Sequence, residues 1–233
     1  WNTSWGVSTR LVGGLVMTHG DDTGIICPPR LAPIQVVIVP IHRGEGERNV
    51  VLEKADRVAR ALREEEIRVH VDTREDMTPG AKFYEWERKG VPMRIEVGPR
   101  DVAQEQLVLV MRSTPTGRPR KETMNDAAAL AAVPRRLNEY QQELLEAARA
   151  FREANSHRGI TDYNRMREII EESGGFVYAG WCGGAACEEK VKAETKATIR
   201  VLPFEEFRSP EAPTRCVVCG GAATAEAMWA RAY

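Results

Sequence analysis

The chain reads as an α/β protein ending in a small cysteine-bearing α+β module, and three features of the sequence carry that reading. The run Ile34–Ile41 (IQVVIVPI) is nearly all apolar, the pattern of a strand buried on both faces. Behind it, Val51, Leu52, Ala55, Val58, Ala59 and Leu62 keep helical spacing, with charges falling between them. From about residue 160 onward come four of the five cysteines, in two closely spaced pairs. A length of 233 residues allows one large domain or two to three small ones.

In chain order, residues 1–32 predict strand, helix, strand. Trp5–Thr9 is a β-like run, and Leu11–Met17 is apolar enough to be a buried helix despite Gly13 and Gly14. His19–Gly24 is a polar turn, and Ile25–Cys27 a short strand stopped by Pro28 and Pro29. So short a piece has no core of its own. With no Met and no lead-in ahead of Trp1, it is expected to be the tail of a larger domain in a longer protein. Residues 33–122 then alternate: strand Ile34–Ile41, helix Asn49–Glu66, strand Ile67–Val71, a helix Phe83–Lys89 after Thr78-Pro79-Gly80, and strands around Met93–Val97 and Gln106–Met111. That order predicts a mostly parallel or mixed sheet. Ser113–Thr123 is a Pro/Gly/basic loop, and Asp126–Asn155 is strongly helical, with Pro134 expected to break or restart it. No internal repeat is evident.

Lys+Arg 33 against Asp+Glu 34 leaves a net charge of −1. The pI near 6.5 excludes a polycationic nucleic-acid coat but leaves room for a local basic face. Hydrophobic content of 42% with 29% charged excludes a disordered chain. The longest apolar run contains Gln35 and Pro40 and is too short to span a bilayer, and no signal peptide opens the sequence. A cytoplasmic protein with no membrane partner is expected.

Cys182-x4-Cys187 and Cys216-x2-Cys219 are knuckle-like pairs, with Gly183-Gly184 inside the first and Gly220-Gly221 after the second. Two thiolates on a tight glycine turn, twice over, suit a tetrahedral ion and predict a closed structural zinc site. Disulfides and four unrelated buried cysteines are the alternatives; nothing else in the sequence suggests the oxidising compartment that disulfides need. Cys27 follows two isoleucines and reads as a small buried hydrophobe.

Together these segments resemble a known family. WNTSWGVSTRLVGGLVMTHGDDTGIICPPRLAPIQVVIVPI (1–41) looks like the third signature motif of a class II aminoacyl-tRNA synthetase followed by its anticodon-binding domain. GAKFYEWERKGVPMRIEVGPRD (80–101), the four-cysteine module and the closing Arg231-Ala232-Tyr233 are similar to the prolyl-tRNA synthetases of archaeal/eukaryotic type. The resemblance covers the whole chain. It implies a C-terminal piece of the class II antiparallel catalytic sheet over 1–32, an α/β anticodon-binding domain with a mixed five-stranded sheet over 33–130, and a small α+β zinc-binding domain over 131–233.

The resemblance also implies an activity. In such ligases proline and ATP, with Mg, give prolyl-adenylate and pyrophosphate, and the prolyl group then passes to the terminal adenosine of tRNA(Pro). The first two motifs would lie upstream, so this chain alone is expected to be inactive and the full-length parent to be a homodimer. Arg10 matches the motif-3 arginine that stacks on adenine, Ser8 and Thr9 stand beside it as hydrogen-bond donors to the nucleotide, and Ser4-Trp5-Gly6 matches the wall of the proline pocket. Tyr233 would send its terminal carboxylate toward that active site. His19 and Asp21 lie nearby, but a tight Asx-type turn explains them equally well, and they are not counted in the site.

Proline anticodons share two guanines. Guanine offers O6 and N7 to Arg or Lys, and N1–H and N2–H2 to a carboxylate. The matching positions are Glu87, Arg94, Asp101 and Lys121, with Arg100 beside them as a phosphate or base contact. The loop Ser113–Lys121 departs from the pattern by being longer than in compact relatives, which bears on the placement of Lys121. Phe83, Tyr84 and Trp86 interleave with these charges; helical spacing puts at least one of them in the core, and others are placed to stack on bases. Three other readings compete. A non-catalytic tRNA-binding module would have no use for SWGVSTR; the threonyl, histidyl or glycyl enzymes lack the 80–101 run and the cysteine module; a zinc-ribbon nucleic-acid binder fits neither the neutral charge nor the dominant α/β part.

Overall fold

The computed structural model describes residues 2–112 and 120–232. Its chain folds as two compact units, 1–148 and 149–233.

The first unit is organised by a five-stranded mixed sheet. Its strands are β3 (Val36–Pro40), β4 (Val69–Val71), β5 (Met93–Val97), β6 (Gln106–Met111) and β7 (Arg120–Asn125), in the spatial order β4-β3-β5-β6-β7. The pairs β3–β4 and β3–β5 are parallel, and β5–β6 and β6–β7 antiparallel. This is the mixed five-stranded sheet expected for residues 33–130. β3 is buried along its whole length, as its apolar run requires.

One face of the sheet meets two helices. α2 (Glu45–Glu64) turns Val51, Ala55, Val58, Ala59 and Leu62 onto it, while Glu45 and Glu47 in the first turn suit the positive end of the helix dipole. The second is α5 (Asp126–Ala154), which runs unbroken through Pro134. The expected break does not occur. An interior proline costs about 3 kcal/mol. Val133, Leu137, Tyr140 and Leu144 join the core around it, and each large apolar side chain removed from water contributes about 1.5–3 kcal/mol. Tertiary burial wins. Lys54 on α2 is buried too, its Nζ paired with Asp126 at 2.7 Å and donating to the carbonyls of Asp101 and Gln106 at 2.9 Å each. It ties α2 and α5 to α4 (Pro99–Ala103) and β6.

The other face is covered only in part, by α3 (Pro79–Arg88), whose N-cap Thr78 accepts from the Ala81 N–H. Trp86 and Phe83 from α3 pack with Val37, Val39 and Val91 in a small second core. Strand β7 lies where the Ser113–Thr123 loop was expected to continue. Its residues are exposed or half-buried on a sheet edge, with Arg120, Lys121 and Glu122 among them, so the hydrophobic signal that marks inner strands is missing. Residues 113–119 of that loop lie outside the described residues.

Two expectations for residues 1–32 are corrected. Trp5–Thr9 forms no strand: among the described residues no neighbouring strand takes up its backbone groups. The helix exists, as α1 (Arg10–His19), but none of its residues is buried, and Leu11, Val12 and Met17 are exposed. α1 leads into a small antiparallel hairpin, β1 (Gly20–Asp21) and β2 (Gly24–Ile25).

The second unit carries a four-stranded sheet of order β10-β11-β9-β8. Its strands are β8 (Ser156–Ile160), β9 (Phe176–Trp181), β10 (Ala197–Val201) and β11 (Ala225–Arg231). α6 (Tyr163–Glu168) continues into a π-helical turn, and α7 (Ala185–Thr195) follows β9. Met166, Ile170, Val177, Val191, Ala227 and Trp229 form its core. No helix among the described residues is long and apolar enough to cross a membrane.

Candidate nucleic-acid interface and metal centre

The half of the sheet that α3 leaves open carries the candidate interface. Strand register places Arg94 opposite Val37 on one side and Val110 on the other, and Val110 opposite Lys121. Residues two apart on a strand share a face, so Glu96 stands beside Arg94. Its carboxylate is the centre of the arrangement. Oε1 accepts from Arg94 Nη2 at 2.9 Å and Nε at 3.1 Å, and Oε2 accepts from Lys121 Nζ at 2.9 Å. The Arg94 guanidinium also lies over the Phe83 ring, 4.0 Å from its centroid. Arg94 is thereby held flat and oriented, while Lys121, with a side chain 61% exposed, makes a surface pair worth about 0–1 kcal/mol.

Glu87 comes to the same place from α3. Together with Arg94 and Arg112 it rims a small pocket floored by Val37, Trp86 and Val110. Guanidinium donors and a carboxylate acceptor side by side match the two edges of a guanine. Arg94 thus stands beside Glu87 at this pocket and is linked to Lys121 through Glu96. Arg100 and Asp101 do not join them. Both lie on α4, beyond the far end of β5; Arg100 is exposed, and the Asp101 carboxylate accepts from the Gly98 N–H at 2.8 Å and from Gln106 Nε2 at 3.0 Å, capping its own helix. Sequence reasoning missed Glu96, whose signal was its place two residues after Arg94, and Arg112, which had none.

α3 is held from beneath by Asp72, whose side chain is fully buried. It accepts from Trp86 Nε1 at 2.7 Å and from Arg74 Nη2 at 2.7 Å, with Lys82 Nζ at 3.6 Å. Burial works to raise its pKa, but the hydrogen bonds from Arg74 and Trp86 prevail and hold the carboxyl well below the usual range.

The residues expected near ATP and proline line no pocket described above. Ser4, Trp5, Gly6, Ser8, Thr9 and Arg10 are all exposed, and Tyr233 lies outside the described residues.

In the second unit, the four cysteines converge. Cys182 follows β9, Cys187 sits in the first turn of α7, and Cys216 and Cys219 lie on the loop before β11. Gly183 and Gly220 take positive φ, 82° and 72°, supplying both knuckle turns. All four sulfurs lie within 4.8 Å of one another, with Cys182–Cys187 at 3.6 Å and Cys182–Cys219 at 3.9 Å. No pair is a disulfide. A tetrahedral ion with metal–sulfur bonds of about 2.3 Å sets its ligands about 3.8 Å apart, so the set fits a metal ion. Burial, then the neighbouring thiols, push Cys187 up to about 12. Burial also opposes ionisation of Cys216, but the N–H groups of Cys219 and Val218 outweigh it and hold that thiol at about 7. Four thiols this close cannot all ionise without a cation among them.

Comparison with known proteins finds similarity over both units. Residues 35–136 match the family model described as anticodon binding domain, and 163–233 the one described as prolyl-tRNA synthetase, C-terminal. The proline–tRNA ligase of Chloroflexus aurantiacus is 46% identical over 233 residues, covering all of this chain and 47% of that protein. The chloroplastic/mitochondrial proline–tRNA ligase of Arabidopsis thaliana is 43% identical over 237 residues and 42% of its length, and that of Cenarchaeum symbiosum 43% over 233 residues and 47%. The chain spans about half the length of the curated relatives it matches. Along its whole length the chain is thus similar, at 41–46% identity, to about half of a proline–tRNA ligase, with an anticodon-binding stretch and a synthetase C-terminal stretch.

Proposed function

We propose that the chain serves as the anticodon-reading and metal-stabilised part of a proline–tRNA ligase acting in the cytoplasm. The observation that carries this reading is the Glu87–Arg94 pair on the open sheet face, where one side chain accepts and the other donates as a guanine base demands. Single-stranded anticodon bases can be splayed onto such a surface and read on their edges. Lys121 and the exposed Arg100 serve the backbone around them, and Asp101 acts through the turn it caps. Residues 33–130 belong to this anticodon domain; 131–148, expected in the next domain, pack through Val133, Leu137, Tyr140 and Leu144 into the first unit's core, and the four cysteines of the second unit hold zinc as a closed structural site.

In the whole ligase, residues 1–32 complete a class II catalytic sheet. There Arg10 stacks on the adenine of ATP, with Ser8 and Thr9 beside the nucleotide, Ser4, Trp5 and Gly6 lining the proline pocket, and Tyr233 approaching it. The exposed apolar face of α1 suits such a setting. ATP with Mg, proline and tRNA(Pro) are the substrates, and the whole ligase is a homodimer.

The test is equilibrium binding of the chain to tRNA(Pro) at one stated salt concentration, beside the same tRNA with both anticodon guanines replaced. Replacement is expected to weaken binding by about 1–3 kcal/mol per base, and Arg94→Ala to abolish most of that difference. Equal binding of both tRNAs by folded protein refutes the reading.

A further inference from the structure

The β1–β2 hairpin and the Glu87 carboxylate share one buried cation. Arg112 follows β6, its side chain 1% exposed. It forks onto Asp21, with Nη2 to Oδ1 at 2.7 Å and Nη1 to Oδ2 at 3.0 Å, and Nη2 also donates to Thr23 Oγ1 at 2.7 Å. Its other edge faces α3: Nε donates to the Glu87 carbonyl at 3.2 Å, whereas the Glu87 carboxylate stands off at 3.7 Å from Nη1. The two carboxylates are equally exposed, 27% and 28%, so what separates them is geometry. The hydrogen bond from Arg112, helped by Thr23, holds the Asp21 carboxyl well below the usual range and keeps it an anion. The hairpin is seated firmly. At Gly24, φ +138°, any Cβ would collide with the Arg88 carbonyl, and Cys27 N–H donates to the Gly90 carbonyl at 3.2 Å.

We propose that Asp21 is a specificity-determining positioning residue that, by engaging Arg112, leaves the Glu87 carboxylate free to accept from a guanine edge. The proposal rests on the anticodon reading above. A bidentate carboxylate satisfies the guanidinium where it lies, and 3.7 Å is beyond hydrogen-bond distance. Without the Asp21 anion, the buried guanidinium loses its bidentate carboxylate, and Glu87, 3.7 Å away, is close enough to be drawn in. The reading group would then be occupied by its own protein.

The experiment measures how much more tightly the chain binds tRNA(Pro) than the guanine-replaced tRNA, for the wild type, Asp21→Asn, Asp21→Glu, Glu87→Gln and the double variant Asp21→Asn/Glu87→Gln, with thermal melts of each. Asp21→Asn is expected to lose about tenfold of the preference while binding the replaced tRNA as before. It should change nothing further when Glu87 is already Gln, because the two act as one unit. Asp21→Glu, which keeps the anion, is expected to retain the preference even if Asp21→Asn loosens the hairpin. A wild-type preference that survives Asp21→Asn, an effect that adds fully to that of Glu87→Gln, or equal loss in Asp21→Asn and Asp21→Glu overturns the proposal and leaves the anticodon reading standing. A wild type with no preference overturns both.

Discussion

Stripping metal from the four-cysteine site, or replacing Cys216 by Ser, is expected to unfold the second unit. Four sulfurs within 4.8 Å of one another suit a cation among them, since thiolates that close otherwise repel. Structural zinc contributes an apparent ~10–16 kcal/mol in small sites at neutral pH, more than the whole stability of many domains, about 5–15 kcal/mol. The unit's own core, grouped around Trp229 and Val177, is small and does not make up that loss. Circular dichroism and thermal melting with and without chelator, alongside a colorimetric count of released zinc, check this. A melt unchanged after one equivalent of metal has left would show that the cysteines are dispensable to the fold. The transition of the first unit is expected to survive chelation.

Asp72→Ala is expected to destabilise the first unit by about 3–5 kcal/mol, the usual cost of removing one partner from a buried ionic group. The loss leaves Lys82 buried without its counter-charge and the Trp86 indole N–H without its acceptor. Urea unfolding at pH 7 measures the effect. Its pH dependence has a definite sign. A carboxyl whose folded pKa is depressed contributes stability above its unfolded pKa, about 3.9, and that contribution fades as the pH falls below it. Wild type should therefore lose more stability than Asp72→Ala between pH 7 and pH 3. Parallel losses in the two proteins would show that the carboxylate is not the group that matters.

Much of the fold was legible because it is written in burial. β3 and β6 are inner strands with apolar runs, β5 keeps Met93, Ile95 and Val97 at alternate positions, and α2 announces itself through its spacing. The elements misread are those where burial and sequence part company. β7 is charged because it lies on an edge, Pro134 is tolerated because its helix is packed, and α1 is apolar yet uncovered among the described residues. The site divides in the same way. Cysteine spacing is a local signal, and the structure brings all four together. Glu87, Arg94 and Lys121 were found through resemblance, for as lone charges they look like any solvated surface. Glu96 sits in a strand at 7% exposure, where an acid has no reason to be unless cations meet it, and those cations come from its own strand and from the edge. Asp21 and Arg112 are 91 residues apart, a distance that no periodicity bridges.

The sharing of Glu96 between two cations has a consequence for ionic strength. Lys121 can exchange its carboxylate for a phosphate while Glu96 keeps Arg94, so no buried charge is stranded when a nucleic acid arrives. On the proposed anticodon reading, the exposed lysine would displace a counterion from the nucleic acid, and the half-buried arginine, neutralised beforehand, would not. Lys121→Ala should flatten the logarithmic dependence of tRNA affinity on salt by about 0.7–0.9. Arg94→Ala should leave that slope almost untouched while lowering the preference for guanine. A titration in salt would thus sort the two side chains into one that attracts the polymer and one that recognises the letter.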